Sequence, residues 1–211
     1  MDNYKKNLKL LSENHVYSKE MEHDACGVGV IASTEGKKSR EIVEYGIQAL
    51  KAVWHRGAVD ADGKTGDGAG IHVEIPKDFF IEKIEVTGHD YDNSEICVGM
   101  IFLPRNDYSS QESCKTIVES ELTKNNFSIY GWRQVPVNPK ILGVKAFQTM
   151  PEIIQVLFKS NDPNLIDKNL ERKIYETRKI IENKAFELSL NNFYICSISS
   201  RSIIYKALYL A

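Results

Sequence analysis

Chemistry in this chain has to come from four cysteines (Cys26, Cys97, Cys114, Cys196), five histidines (His15, His23, His55, His72, His89) and one stretch dense in glycine and aspartate, HRGAVDADGKTGDGAG at 55–70. The cysteines are scattered, with no CxxC pair and no Cys/His grouping at zinc spacing, so neither a disulfide scaffold nor a structural zinc module is indicated. The histidines are too dispersed for HExxH or a facial triad. Within the glycine-rich stretch, Gly63-Lys64-Thr65 approaches a phosphate-binding loop, but that motif needs a glycine five positions before Gly63, where Ala58 stands. Asp60 to Gly63 approaches a calcium loop, yet Lys64, Thr65 and Ile71 occupy the fifth, sixth and twelfth positions, which call for Asp or Asn, Gly and Glu. On composition alone the stretch reads as glycine-rich turns around solvated aspartates. Cys26 taken alone reads more readily as a small buried hydrophobe at a strand start than as a nucleophile.

The elements that would position these residues follow from periodicity. Residues 1–25 are polar and without a convincing period, and the composition changes abruptly at the β-prone run CGVGVIA that begins with Cys26. Ile42, Tyr45, Ala49 and Val53 share one face of a helix expected over 40–54, with Gly57 as its stop. Residues 55–70 form an expected long loop, and long ordered loops are often functional. Strands are expected at 71–75, 96–103, 133–137, 153–159, 193–199 and 202–209. Ser109 with Glu112 suggests a capping box for a helix to about Lys124, and Asp162-Pro163 opens another to about Asn183. This irregular alternation favours an α+β fold with a mainly antiparallel sheet over a doubly wound parallel one. The run IIYKALYLA ends inside an expected strand, which reads as a fragment.

The bulk properties bound the class. A chain of 211 residues with 42% hydrophobic composition can bury one substantial core. Its 27 basic and 29 acidic residues nearly cancel and form no long run of one sign, so nucleic acid and anionic membranes are not expected partners. No apolar run approaches the roughly 20 residues that span a bilayer. Lys5, Lys6 and Lys9 are followed by no unbroken apolar core of a secretory leader, so a cytoplasmic protein is expected.

Read together, DACGVGVIA (24–32), HRGAVDADGKTGDGAGIHVEIPKDFF (55–80) and CSISSRSIIYK (196–206) resemble the glutamate synthase large subunits, and the resemblance runs from Cys26 to the end of the chain. Other class II glutamine amidotransferases share a Cys-Gly start and an HRG, while KTGDGAGI is characteristic of the glutamate synthase branch. Val30 stands where that family usually has an aromatic, and Ala207 where it usually has glycine. The resemblance implies an N-terminal nucleophile hydrolase, a four-layer αββα sandwich of two antiparallel sheets between helices, incomplete here at the C-terminus. It further implies that residues 1–25 are a pro-segment cleaved immediately before Cys26, leaving 26–211 as a partial glutamine amidotransferase domain.

What the resemblance implies for chemistry has a physical reason. A free thiol with a pKa near about 8.5 is mostly protonated at pH 7, and an internal peptide nitrogen has no basicity to help it. An α-amine with a pKa near about 8 can take the thiol proton, so cleavage before Cys26 would create the general base. Cys26 would then attack the side-chain amide of L-glutamine. Arg56, matching the arginine of the HRG, would help order the site, with a structural ion pair as the equal alternative. The family's oxyanion-hole Asn-Gly pair, and the Arg and Asp that grip glutamine, fall downstream of Ala211. Losing even one oxyanion donor costs on the order of a hundredfold, so this segment alone is expected to be inactive or nearly so. No cofactor or metal is expected in this segment. FMN, an iron–sulfur cluster, 2-oxoglutarate, and an electron-donating small subunit or ferredoxin are implied for the full-length enzyme. A truncated, non-catalytic remnant and a different class II amidotransferase are the competing readings.

Overall fold

The computed structural model describes residues 2–14 and 27–208, except for the side chains of Arg56 and of four residues in the first helix. Cys26 and the proposed cleavage point lie outside the described residues. Two antiparallel sheets organise the rest. Strands β1 (Ala69–Glu74) and β6 (Ser202–Ala207) pair with each other, and β3 (Phe127–Gln134), β4 (Glu152–Ser160), β2 (Cys97–Leu103) and β5 (Tyr194–Ser199) form the second sheet in the order β3-β4-β2-β5. Every strand pair is antiparallel, as expected for the α+β class.

Period-two alternation in the central strands sends side chains into two separate apolar clusters. Cys97, Ile101 and Leu103 of β2, with Val156 and Phe158 of β4, meet Cys114, Val118 and Leu122 of α4 (Tyr108–Lys124) and Leu170, Ile174 and Ile181 of α6 (Asp167–Glu187). Val98 and Met100 of β2, with Leu157 of β4, meet Phe80 and Ile84 of α3 (Lys77–Val86) and Ile203 of β6 on the other face. Helix α2 (Arg40–Ala52) packs on β1 and carries no buried residue of its own. β5 and β6 are consecutive but belong to different sheets, so the short SISSRS corner carries the chain from one sheet to the other. No helix among the described residues is long and apolar enough to cross a membrane.

Several expectations are corrected. The strand expected at 133–137 spans Phe127–Gln134 instead. A bulge at Tyr130, with Gly131 at φ 151°, shifts the register against β4 and breaks the alternation that marks a strand in sequence. Helix α4 is capped by Asp107 rather than by a box at Ser109, the Asp107 carboxylate accepting the Ser110 N–H at 3.0 Å and its hydroxyl at 2.6 Å. Helix α6 starts at Asp167, not at Asp162-Pro163. There the Asp162 carboxylate accepts the Asn164 N–H at 2.9 Å, closing a turn, and Asp167 itself takes φ 50°.

The run after Cys26 forms no strand, and Val28 and Val30 stand 88% and 86% exposed. With no neighbouring strand supplying a ladder, its β-propensity alone does not make it one. Helices α1 (Asp2–Asn14), α3 and α5 (Val144–Thr149) go beyond the sequence expectation. In α1 the described side chains are exposed, and Lys9 pairs with Glu13 one turn on.

Candidate active site

Helix α2 delivers the chain into a 3-10 turn, Trp54–Arg56, closed by the Gly57 N–H donating to the Trp54 carbonyl at 3.0 Å. A Cβ at Gly57 would lie 3.3 Å from both Trp54 O and the Asp67 carboxylate, so glycine lets the two ends of the following loop close up. That loop, expected to be irregular, is a small hairpin. Val59 and Gly66 form an antiparallel bridge, Asp60 N–H donates to Thr65 O at 2.9 Å, and Gly63 turns the tip at φ 67°.

Its aspartates are engaged rather than merely solvated. The Asp62 carboxylate accepts the Thr65 hydroxyl at 2.6 Å and the Thr65 and Lys64 N–H groups at 2.7 and 2.9 Å. These bonds, the Thr65 hydroxyl foremost, hold its pKa far below the usual carboxylate range, with a further contribution from the Val144 N–H. Asp60 accepts Lys145 Nζ at 2.6 Å and the Ala61 N–H, which lowers its pKa as well. Within the loop the Thr65 hydroxyl donates to Asp62, and both lie against Gly143 at the start of α5.

The base of the hairpin opens on a cleft of about 1630 Å³ whose lining includes Gly27, Trp54, Gly57, Asp67 and Gly68. Phe102 and Arg105 at the end of β2, Met150 after α5, and Tyr194 and Lys206 of the two C-terminal strands contribute the rest of its character. Arg105 lies over the Phe147 ring at 4.8 Å, and Lys206 Nζ donates to the Tyr194 hydroxyl at 2.7 Å. Gly27, which follows Cys26 in the sequence, is the first described residue of this segment. Arg56 sits in the 3-10 turn between two of the lining residues, Trp54 and Gly57.

The other three thiols are unsuited to nucleophilic work. Burial raises Cys97 far above the ordinary thiol range, pushes Cys114 up to about 11 and raises Cys196. All three are buried and free, on β2, α4 and β5 respectively. A thiol so raised holds almost no thiolate near pH 7. Among the described residues no group of three or more His, Cys, Asp and Glu could hold a metal ion, and these cysteines do not converge.

Comparison with known proteins decides the family: the sequence profile of the glutamine amidotransferases class-II matches residues 26–211. The chain belongs to the class II glutamine amidotransferases. The matched region of this amidotransferase begins at Cys26 itself. The chain is 50% identical over 208 residues to the glutamate synthase [NADPH] large chain of Azospirillum brasilense, covering 99% of this chain and 14% of that protein. It is 37% identical to ferredoxin-dependent glutamate synthase 2 of Synechocystis sp. and 40% identical to ferredoxin-dependent glutamate synthase 1 of Arabidopsis thaliana. In each case the match covers 89% of this chain and 12% of the relative. The chain therefore spans only 12 to 14% of the length of these relatives. The amidotransferase loop at 55–70 thus joins the HRG turn to one wall of a cleft whose lining includes Gly27. Sequence reasoning weighed Asp60 to Thr65 only as phosphate or calcium motifs and singled out neither Gly143 nor Lys145, which lie some 80 residues away.

Proposed function

We propose that this chain is the glutamine-hydrolysing segment of a glutamate synthase large subunit, acting in the cytoplasm, with Cys26 as its nucleophile once residues 1–25 are removed. The observation that carries the reading is the family match starting at Cys26, together with 50% identity over nearly the whole chain to a glutamate synthase large chain. The two antiparallel sheets, with α4 and α6 packed on one and α2 on the other, support a four-layer αββα arrangement of the N-terminal nucleophile hydrolase type.

In this reading the freed α-amine of Cys26 takes the thiol proton, and the thiolate attacks the δ-carbon of L-glutamine to give a tetrahedral oxyanion. Collapse breaks the C–N bond, the ammonium returns the proton to the leaving nitrogen, and ammonia departs from a thioester. Water then attacks the thioester, releasing L-glutamate and regenerating the thiol. Arg56, fixed in its turn beside the cleft, orders the site around the nucleophile. The oxyanion donors and the groups that hold glutamine's α-carboxylate and α-amine belong to the remainder of the subunit, so the segment by itself is inactive or nearly so. The ammonia passes to 2-oxoglutarate in a remote part of the same protein. The FMN and iron–sulfur cluster that make the whole enzyme an oxidoreductase belong there too, served by a small subunit or by ferredoxin.

The test is Cys26→Ala in the full-length protein, with ammonia release from glutamine as the readout. Ammonia release is expected to fall roughly a thousandfold or more, as for loss of other covalent nucleophiles. Intact mass of the purified protein should show residues 1–25 missing. Undiminished ammonia release from the alanine variant would end the reading.

A further inference from the structure

The aspartate loop is attached to a distant helix in a way that its turn chemistry does not require. Asp62 accepts within its own loop from Lys64 and Thr65, and the backbone of Val144, the first residue of α5, adds to the lowering of its pKa. Next to it, Lys145 Nζ reaches Asp60 at 2.6 Å across 85 residues of sequence. Between the two segments stands Gly143. A Cβ there would fall 2.2 Å from Thr65 Oγ1, 2.3 Å from Asp62 Oδ2 and 2.5 Å from Thr65 N. Gly143 has φ −71° and ψ 166°, a conformation any residue adopts, so the backbone does not call for glycine. Glycine is required by the contact alone.

Both partners of this contact line the cleft beside Gly27. The hairpin supplies Gly57, Asp67 and Gly68 at its base, and α5 with the residue after it supplies Ala146, Thr149 and Met150. The hairpin is short and internally braced by the Val59–Gly66 bridge and the Asp67 N–H to Ala58 O bond at 3.3 Å, so a constraint at its tip is transmitted to its base. Pinning the tip to α5 therefore ties two parts of the cleft lining together.

We infer that Asp62, Thr65 and Gly143 are positioning residues for glutamine hydrolysis: they latch the tip of the 58–67 hairpin to the start of α5 and so fix the spacing of the cleft lining that includes Gly27. This rests on the functional reading above. The latch touches no reacting atom, and its effect is on where the lining stands when glutamine enters. A misplacement of about 1 Å far from the chemistry can cost on the order of a hundredfold in rate.

The experiment uses the full-length mature protein with four variants: Gly143→Ala, Thr65→Val, Thr65→Ser and Cys26→Ala. Steady-state glutamine hydrolysis is measured beside amide hydrogen exchange over 58–67. Gly143→Ala and Thr65→Val are expected to lower kcat/KM at least tenfold, mainly through KM, and to speed exchange of the Asp60 and Thr65 amides at least tenfold. Thr65→Ser keeps the hydroxyl and should restore both. Thr65→Val keeps the inference testable where Gly143→Ala fails to fold. Unchanged kcat/KM in a folded Thr65→Val or Gly143→Ala variant overturns it, as does lost activity with unaltered exchange, or equal losses in Thr65→Ser and Thr65→Val. If Cys26→Ala hydrolyses glutamine as well as the parent, the functional reading fails instead, and the exchange data still report whether the latch exists.

Discussion

Glu171 on α6 is the clamp of the corner where the chain leaves one sheet for the other, and its removal gives a sharp test of how this fold is held. Its carboxylate accepts the Ser200 N–H and the Ser200 hydroxyl, each at 2.7 Å, and the Ser199 hydroxyl at 3.0 to 3.1 Å. Ser199 and Ser200 are 8% and 2% exposed, so water has little access to whatever donor is left unpaired. Glu171→Ala strands one backbone N–H and two hydroxyls. An unsatisfied buried donor costs about 1–3 kcal/mol, but a hydroxyl can rotate to another acceptor and a backbone N–H cannot. Counting the N–H at about 2 kcal/mol and the hydroxyls together at about 1 gives a loss of about 3 kcal/mol. For a chain of this size that lowers Tm by roughly 6–12 °C. Glu171→Gln retains one acceptor oxygen for Ser200 and should cost only about 1 kcal/mol. Urea unfolding of the chain, followed through the fluorescence of Trp54 and Trp132, measures both. If the alanine variant lost less than about 1 kcal/mol, or no more than the glutamine variant, the corner would not depend on this carboxylate.

Two further outcomes follow from packing and from burial. A Cβ at Gly99 would stand 2.7 Å from Val156 Cγ1 and 3.6 Å from Ile198, so Gly99→Ala should destabilise by about 1–3 kcal/mol. Adding Val156→Ala should then cost less than the sum of the two single changes, which a double-mutant cycle in urea would read. Brief iodoacetamide treatment of the native mature protein at pH 7 should modify Cys26 and spare Cys97, Cys114 and Cys196, with all four reacting after denaturation. Raising the pH to 9 should leave Cys114 unmodified, since its thiol is pushed up to about 11 and is still protonated there. Peptide mass mapping checks this, and native-state labelling of a buried cysteine at pH 7 would contradict it.

How much of this was legible in the sequence depended on whether the deciding interaction was local. β2, β4 and β5 lay within a residue or two of their expected spans because each is an uninterrupted apolar or alternating run bounded by polar turns. The antiparallel α+β class followed from their irregular spacing with the helices. β3 was misplaced because Tyr130 bulges and Gly131 takes a positive φ, a choice made by the partner strand rather than by composition. Asp107 displaced Ser109 as the cap of α4 by closing two bonds on Ser110, a local competition decided by geometry that residue types alone leave open. In the site, Cys26 and Arg56 were named from motifs; the Arg56 backbone lies between the lining residues Trp54 and Gly57, and Cys26 lies outside the described residues.

The aspartate loop is the clearest case of information present in the sequence but unreadable there. Composition gave DADGKTG as solvated turns, and within the loop that is nearly right, since Asp62 does bond its own Lys64 and Thr65 amides. What composition could not supply is the second half of the contact, Gly143 and the Lys145 ammonium, because nothing in a single chain's residue order says that positions some 80 apart will meet. Gly143 itself looks like any loop glycine, and its φ gives it no conformational reason to be one. Its reason becomes visible only when a Cβ is placed on it and collides with Thr65 and Asp62. The same logic separates the two kinds of residue that a catalytic segment needs. Those that react are recognisable by type, as a cysteine is. Those that hold the reacting groups in place are ordinary residues whose importance lies in which distant neighbour leaves them no room.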